Sequence, residues 1–303
     1  MSKIFISGLI NLETTLAVES FPLAYFPVRY PFFGIQTTVS GVGFNLALAL
    51  QHLGNDVHFA SLIGPDENSS LVHKALSKAD IDDRLILDEA EATAQSVILY
   101  DPSGRRQIHV DLKNIQDLAY PGEIALNALE ESDLAVLCNI NFSRSLLRLA
   151  KELGKPIVTD VHALSDLDDD YNREFMYAAD ILFLSDDVLP DSPECVARSL
   201  MEKYPAEMII IGLGGAGALL AHRGDGFIGK FKAFYTRPVV NTIGAGDALL
   251  SAFVDQYLRL KDPYQALQAA MVFASYKVGE KGAAQGFLNQ EEFQAWIKKL
   301  EVA

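Results

Sequence analysis

The sequence predicts an α/β fold, a mostly parallel sheet covered on both faces by helices, with room for a small appended element. Short apolar runs alternate with helical patterns along most of the 303 residues, the pattern that buries a parallel sheet on both sides. Half of the residues are hydrophobic and 21% are charged, the balance of one sizeable globular core. Two segments break the alternation.

In order, strands are expected at Lys3–Ser7, Val57–Ile63, Ala135–Cys138, Ile157–Thr159, Ile181–Leu184 and Met208–Ile211. Helical patterns fall between and beside them, at Asn45–Leu53, Leu71–Ala79, Ile124–Glu131, Ser145–Leu153, Phe175–Ala179 and Glu194–Lys203, with a further helix at Tyr264–Val278. The first break, Phe21–Thr38, is dense in prolines and aromatics (Phe21, Tyr25, Phe26, Tyr30, Phe32 and Phe33) and is poor helix material. The second, Ala94–Val110, reads as two strands joined at Asp101-Pro102-Ser103-Gly104, a hairpin signal.

A net charge of −15 disfavours nucleic acid and anionic membrane as partners. Lys298-Lys299 reads as a solvated face of the last helix. No run of ~18 apolar residues is present to span a bilayer, and the start reads as a strand and turn rather than a signal peptide. Cys138 and Cys195 give no disulfide framework, so a reduced, cytoplasmic setting is expected. The histidine spacings suggest no zinc site, and no Gly-x-Ser-x-Gly elbow is present for serine hydrolysis.

Chemistry concentrates at Asn241-Thr242-Ile243-Gly244-Ala245-Gly246-Asp247, which runs into the apolar stretch Ala248–Phe253. This is a tight loop feeding the start of a buried helix. Glycines let backbone N–H groups face a ligand, and a helix N-terminus favours an anion. An aspartate beside such an anion hole can accept a proton from a hydroxyl while the hole steadies a phosphoryl group. The plainer alternative is a helix N-cap, with Asp247 bonded to the backbone.

Gly212-Leu213-Gly214-Gly215-Ala216-Gly217 matches G-x-G-x-x-G after a strand. A dinucleotide fold needs a helix next. Here Ala218–Ala221 and the turn Gly224-Asp225-Gly226 lead to Phe227-Ile228, so a hairpin is expected instead.

The 241–247 segment resembles the second signature of the ribokinase-like (PfkB) carbohydrate and nucleoside kinases, with Asn241 where that family usually has aspartate. The resemblance extends over nearly the whole chain. Asn11 and Glu13 match residues that contact sugar hydroxyls. Ser40-Gly41-Val42-Gly43-Phe44-Asn45 resembles the first signature, with Ser40 replacing a glycine and Val42 a frequent lysine; Gly41, Gly43 and Asn45 would lie against the substrate. Leu62-Ile63-Gly64-Pro65-Asp66 matches a family turn, and Gly212, Gly214 and Gly217 an element lining the ATP site. Ser185-Asp186-Asp187-Val188 stands where an Asn-x-x-Glu element organises magnesium, leaving Asp186 or Asp187 to hold it through water, or else a solvated strand end. Lys281–Gly286, with Gly282, resembles the loop that flanks adenine and, with the residue at 241, binds a monovalent cation such as K+. Asn139, Asp160 and His162 end strands on the edge where ligands bind.

The resemblance implies a three-layer αβα domain over residues 1–303, with a lid formed by about 11–40 and 92–112 that pairs two chains in a homodimer. It implies an ATP- and magnesium-dependent sugar kinase in which Asp247 is the base, Gly244, Ala245 and Gly246 form the anion hole, and Thr242 lies at the nucleotide. A nucleoside kinase, or a degenerate protein that binds without transfer, are the alternatives. The lid aromatics are expected in lid-core or dimer packing. Arg29 and Arg106, both in the lid, are either solvent-facing or recognise a phosphate on the substrate.

Overall fold

The computed structural model describes residues 1–301; the last two residues of the expected 1–303 domain lie outside the described residues. In chain order the strands are β1 (Lys3–Ser7), β2 (Asn11–Ala17), β3 (Ile35–Ser40), β4 (Asp56–Leu62), β5 (Ile86–Leu87), β6 (Gln95–Tyr100), β7 (Arg106–Asp111), β8 (Leu134–Leu137), β9 (Ile157–Ala163), β10 (Ile181–Ser185), β11 (Met208–Gly212), β12 (Ala218–His222) and β13 (Phe227–Phe231). The α-helices are α1 (Val42–His52), α2 (Glu67–Lys78), α3 (Gly122–Glu131), α4 (Arg144–Glu152), α5 (Arg173–Ala178), α6 (Pro193–Lys203), α7 (Ala245–Leu260), α8 (Pro263–Lys277) and α9 (Gln290–Glu301).

Nine strands form the large sheet, in the order β13-β12-β11-β10-β9-β8-β1-β4-β5. It is parallel from β11 to β5 and antiparallel only where β12 and β13 join. Alternate side chains point to opposite faces. Met208 and Ile210 of β11 join the core that holds α1, α7 and α8, whereas Ile209 and Ile211 join the core under α3, α4, α5 and α6. Two apolar cores on two faces make three layers, as the continuous apolar strands predict.

A second sheet, β3-β2-β6-β7, is separate from the first. Its central pair, β2 and β6, is parallel, and both outer pairs are antiparallel. β2 follows β1 after Gly8–Ile10, and β3 runs into α1 through Gly41. Residues 21–34 carry no strand or helix. Tyr25, Phe26, Tyr30, Phe32 and Phe33 are exposed, so within one chain they fill no lid core.

Several boundaries move. α1 starts at Val42 rather than Asn45, because Gly41 (φ 107) caps it. α2 starts at Glu67 rather than Leu71, because the Asp66 carboxylate accepts the N–H groups of Asn68 and Ser69. β9 continues past Thr159 to Ala163. Among the described residues no helix is long and apolar enough to cross a membrane.

Candidate active site

The loop before α7 turns on Gly244, whose left-handed backbone (φ 74) caps the helix; a Cβ there would lie 2.9 Å from the Ala283 carbonyl oxygen. Asp247 lies in the first turn but makes no capping bond. Instead its Oδ2 accepts Asn45 Nδ2 at 2.7 Å. Removing the carboxylate from water raises the Asp247 pKa, against the bond from Asn45 and the charges of His162 and Lys277. Asp247 is only 9% exposed. Asp247 is thus no helix cap, and a buried carboxylate with one oxygen fixed by an amide and a raised proton affinity is chemically able to accept a proton.

Of the three N–H groups expected to face an anion, one is already bonded within the loop. Ala245 spends its N–H on the Thr242 carbonyl at 3.2 Å within the turn. The N–H groups of Gly244, Gly246 and Asp247 have no backbone partner among the described residues. Gly246 borders open space, with no heavy atom within 4 Å of where a Cβ would stand. The N–H groups left free at the start of α7 are therefore those of Gly244, Gly246 and Asp247.

Asn45 links Asp247 to the second sheet. Ser40 Oγ lies 3.2 Å from Asn45 Oδ1 and 3.1 Å from Glu13 Oε2. Ser40 is thus a hub, and its place at a family glycine is the sequence signal for it. Burial raises the Glu13 pKa, and the Asp247 charge adds to this while Ser40 opposes it. Next to it, Asn11 donates to Ser96 Oγ at 3.0 Å. Asn11 Oδ1 and Glu13 Oε1 are buried without a hydrogen-bond partner among the described residues. Each such orphan costs about 1–3 kcal/mol, a cost that a hydrogen-bond donor brought to it would offset.

Gly41 and Gly43 hold α1 against β1. A Cβ on Gly41 would stand 2.5 Å from the Leu9 carbonyl oxygen, and one on Gly43 2.5 Å from the Gly8 carbonyl carbon. Gly43 therefore serves close backbone packing, which in turn sets where Asn45 points. Asn139 binds away from this cluster, donating to Asn172 Oδ1 at 3.0 Å. At the end of β9, His162 sits in a left-handed conformation (φ 58) over Asp160. Desolvation lowers the His162 pKa, but the Asp160 charge outweighs it and raises the value to about 9; because the ring is 47% exposed, water screens the charge it presents toward Asp247.

A cleft between the small sheet and the 241–247 loop is lined by Phe21, Gly104, Arg105, Arg106, Gln107, Asp187 and Thr242. Arg106 reaches down from the small sheet and donates to Thr242 Oγ1 at 2.8 Å, whereas Arg29 pairs with Glu19. Asp186 and Asp187 are exposed at the end of β10, and Ser185 Oγ contacts Asp187 Oδ2 at 3.3 Å. The glycine-rich segment forms a single 3-10 turn and then β12, not a helix. Gly217 (φ 114) lets it pass 1.9 Å from the Phe231 oxygen, counted from where a Cβ would stand, so a side chain is excluded.

Asn241 and Gly282 are joined through a residue that the sequence did not single out. Lys277 is 0% exposed. Its ammonium donates to the carbonyl oxygens of Ile243 at 2.9 Å and Gly282 at 2.8 Å. Burial lowers its pKa to about 8, with Asp247, Glu13 and Glu280 opposing and Arg237 adding. Asn241 donates to the Lys281 carbonyl at 2.6 Å and accepts the Ile243 N–H at 3.0 Å. An aspartate could not make the first of these bonds. The available signal was a lysine four places after Phe273 on the buried stripe of α8.

The description "pfkB family carbohydrate kinase" matches residues 1–291. The chain belongs to the pfkB family of carbohydrate kinases. It is 25% identical over 287 residues to the ATP-dependent ribose-1-phosphate kinase of Halopiger xanaduensis, covering 93% of this chain and 94% of that one. It is 25% identical over 261 residues to the acarbose 7(IV)-phosphotransferase of an Actinoplanes strain, covering 85% of each. Among solved structures, the microbiome-derived acarbose kinase Mak1 is similar at a TM-score of 0.87 and 25% identity, covering 98% of this chain and 99% of that one. As a pfkB kinase the protein is a phosphotransferase for hydroxyl acceptors with the ribokinase fold, and ATP is the donor its family uses.

Proposed function

We propose that the protein transfers the γ-phosphoryl group of ATP to a primary hydroxyl of a sugar or sugar-like molecule, with Asp247 as base. The observation that carries this reading is the buried Asp247 carboxylate, held on one oxygen by Asn45 and set beside unpaired N–H groups at the start of α7. Asp247 takes the hydroxyl proton as the acceptor oxygen bonds to phosphorus. The bond from phosphorus to the β,γ-bridging oxygen breaks, and its electrons leave on ADP. The N–H groups of Gly244, Gly246 and Asp247 meet the charge on the transferring oxygens. Such transfer depends chiefly on positioning and charge stabilisation.

Asn11 and Glu13, each with an unpartnered buried oxygen, orient the acceptor hydroxyls. Gly212, Gly214, Gly217, Thr242 and Gly282 line the nucleotide side. Magnesium supplies charge neutralisation between the phosphates when bound. Asp187, exposed in the same cleft as Thr242, would hold it with Asp186 through water, which suits an ion that keeps most of its hydration. Two free cysteines fit a reducing, cytoplasmic setting.

ADP release from Mg-ATP should appear with one or more members of a panel of sugars and sugar phosphates, and vanish in Asp247→Ala. Turnover confined to nucleosides would favour the nucleoside kinase. Thermal stabilisation by a panel member without any turnover would favour a binding protein.

The exposed Tyr25, Phe26, Tyr30, Phe32 and Phe33, with Ile108 and Val110 of β7, support pairing of two chains through the small sheet, since isolated chains rarely leave such a patch open. Sedimentation should give a dimer that Phe33→Asp weakens. A wild-type monomer at micromolar concentration refutes the pairing.

A further inference from the structure

The family resemblance implies a monovalent cation between the loop at 241–243 and the loop at 281–282. The residues present do not fit one. A potassium ion binds where several backbone carbonyl oxygens converge and replace its water. Here the carbonyls of Ile243 and Gly282 are already taken by the Lys277 ammonium, and that of Lys281 by the Asn241 amide. The side chain at 241 is also neutral, so it brings no charge to attract an ion.

We infer that the Lys277 ammonium is a built-in monovalent cation, fixed to α8, which replaces the diffusible one. This deepens the kinase reading and rests on it for its catalytic meaning. An ammonium carries the charge of K+ and is attracted to the same carbonyl dipoles. Burying a lone charge is costly unless it is bonded and compensated. Lys277 meets both conditions, with two carbonyls at bonding distance and the carboxylates of Asp247, Glu13 and Glu280 in its field. Arg237 is the opposing charge. Through the Ile243 carbonyl the ammonium holds the residue immediately before Gly244, and so fixes the turn that aims the anion hole. The positive charge is therefore present at α7 before any substrate arrives, at any external potassium concentration.

The test compares KCl with tetramethylammonium chloride at equal ionic strength, using the large ion because it cannot enter a carbonyl cage. Melting of the ligand-free protein, equilibrium binding of ADP and turnover are read in both salts. For the wild-type chain all three are expected to agree between the salts. Lys277→Ala should lose about 100-fold in turnover, the scale of one lost electrostatic stabiliser. Its melting temperature and turnover should then recover in part with K+ or ammonium but not with tetramethylammonium, because an ion that binds only the folded state stabilises it. A wild-type chain that K+ stabilises by several degrees, or activates about tenfold in the sense expected of a specific ligand, overturns the inference. Should Lys277→Ala fail to fold, the wild-type comparison still decides. Should no acceptor be turned over, the kinase reading fails, while the salt dependence of melting still judges the built-in cation.

Discussion

Replacing Asp247 by alanine is expected to cut turnover about a thousandfold, the scale of a lost general base, while acceptor and nucleotide still bind. The separation follows from the contacts: Asn11 and Glu13 offer their free oxygens without help from Asp247, whereas the proton has no other buried acceptor bonded to Asn45. Steady-state kinetics with a calorimetric check on binding measures it, and near-wild-type turnover would remove Asp247 from the role. Because burial raises the Asp247 pKa, the acid limb of turnover should lie above the ordinary carboxylate range. The same shift has a sign for stability. A raised folded-state pKa means that the folded chain is stabilised when Asp247 is protonated, and that this stabilisation is lost as pH rises through the shifted value. Asp247→Asn keeps an acceptor for Asn45 and cannot ionise. It should therefore melt higher than wild type at neutral pH, and the gain should vanish below the unfolded carboxylate pKa.

Gly43→Ala is expected to damage the protein in two ways at once. The new methyl group would meet three atoms of the Gly8 backbone at 2.5–2.7 Å, and no flexible side chain is there to yield. Overpacking of this kind costs about 3 kcal/mol, which a denaturant titration reads directly. Relief requires α1 to move off β1, and Asn45 lies two residues further along that helix. Turnover per folded molecule should then fall as well, since misplacement of about 1 Å is enough to cost a site much of its rate. Unchanged stability would show that the close approach of the two glycines is not needed.

The layered core was legible because both faces of the sheet demand apolar residues: Met208–Ile211 reads as a buried strand whichever side each residue takes. Asp247, Asn45 and Glu13 were legible by motif, and the structure joins them through Ser40. Ala245 was assigned a free N–H that the loop uses internally, because which turn donors are spent locally depends on backbone geometry and not on residue type. Lys277 was missed for a related reason. A lysine near a helix end ordinarily lifts its amine to water, and only the two loops folding over α8 close that route. The aromatics of residues 21–34 were read correctly as unsuited to a helix, but composition alone does not tell an outward face from an inward one.

The contacts that bring Glu13, Ser40, Asn45 and Asp247 together bear on how such enzymes can be remodelled. β2 and β3 carry the residues proposed to contact the acceptor and, at Ser40, the hydroxyl beside the Asn45 that holds Asp247. The small sheet is thus not a detachable specificity module. A sheet transplanted from a relative that carries the family glycine at 40 would remove the hydroxyl beside Asn45 Oδ1, so swapping the sheet also changes the contacts around Asp247.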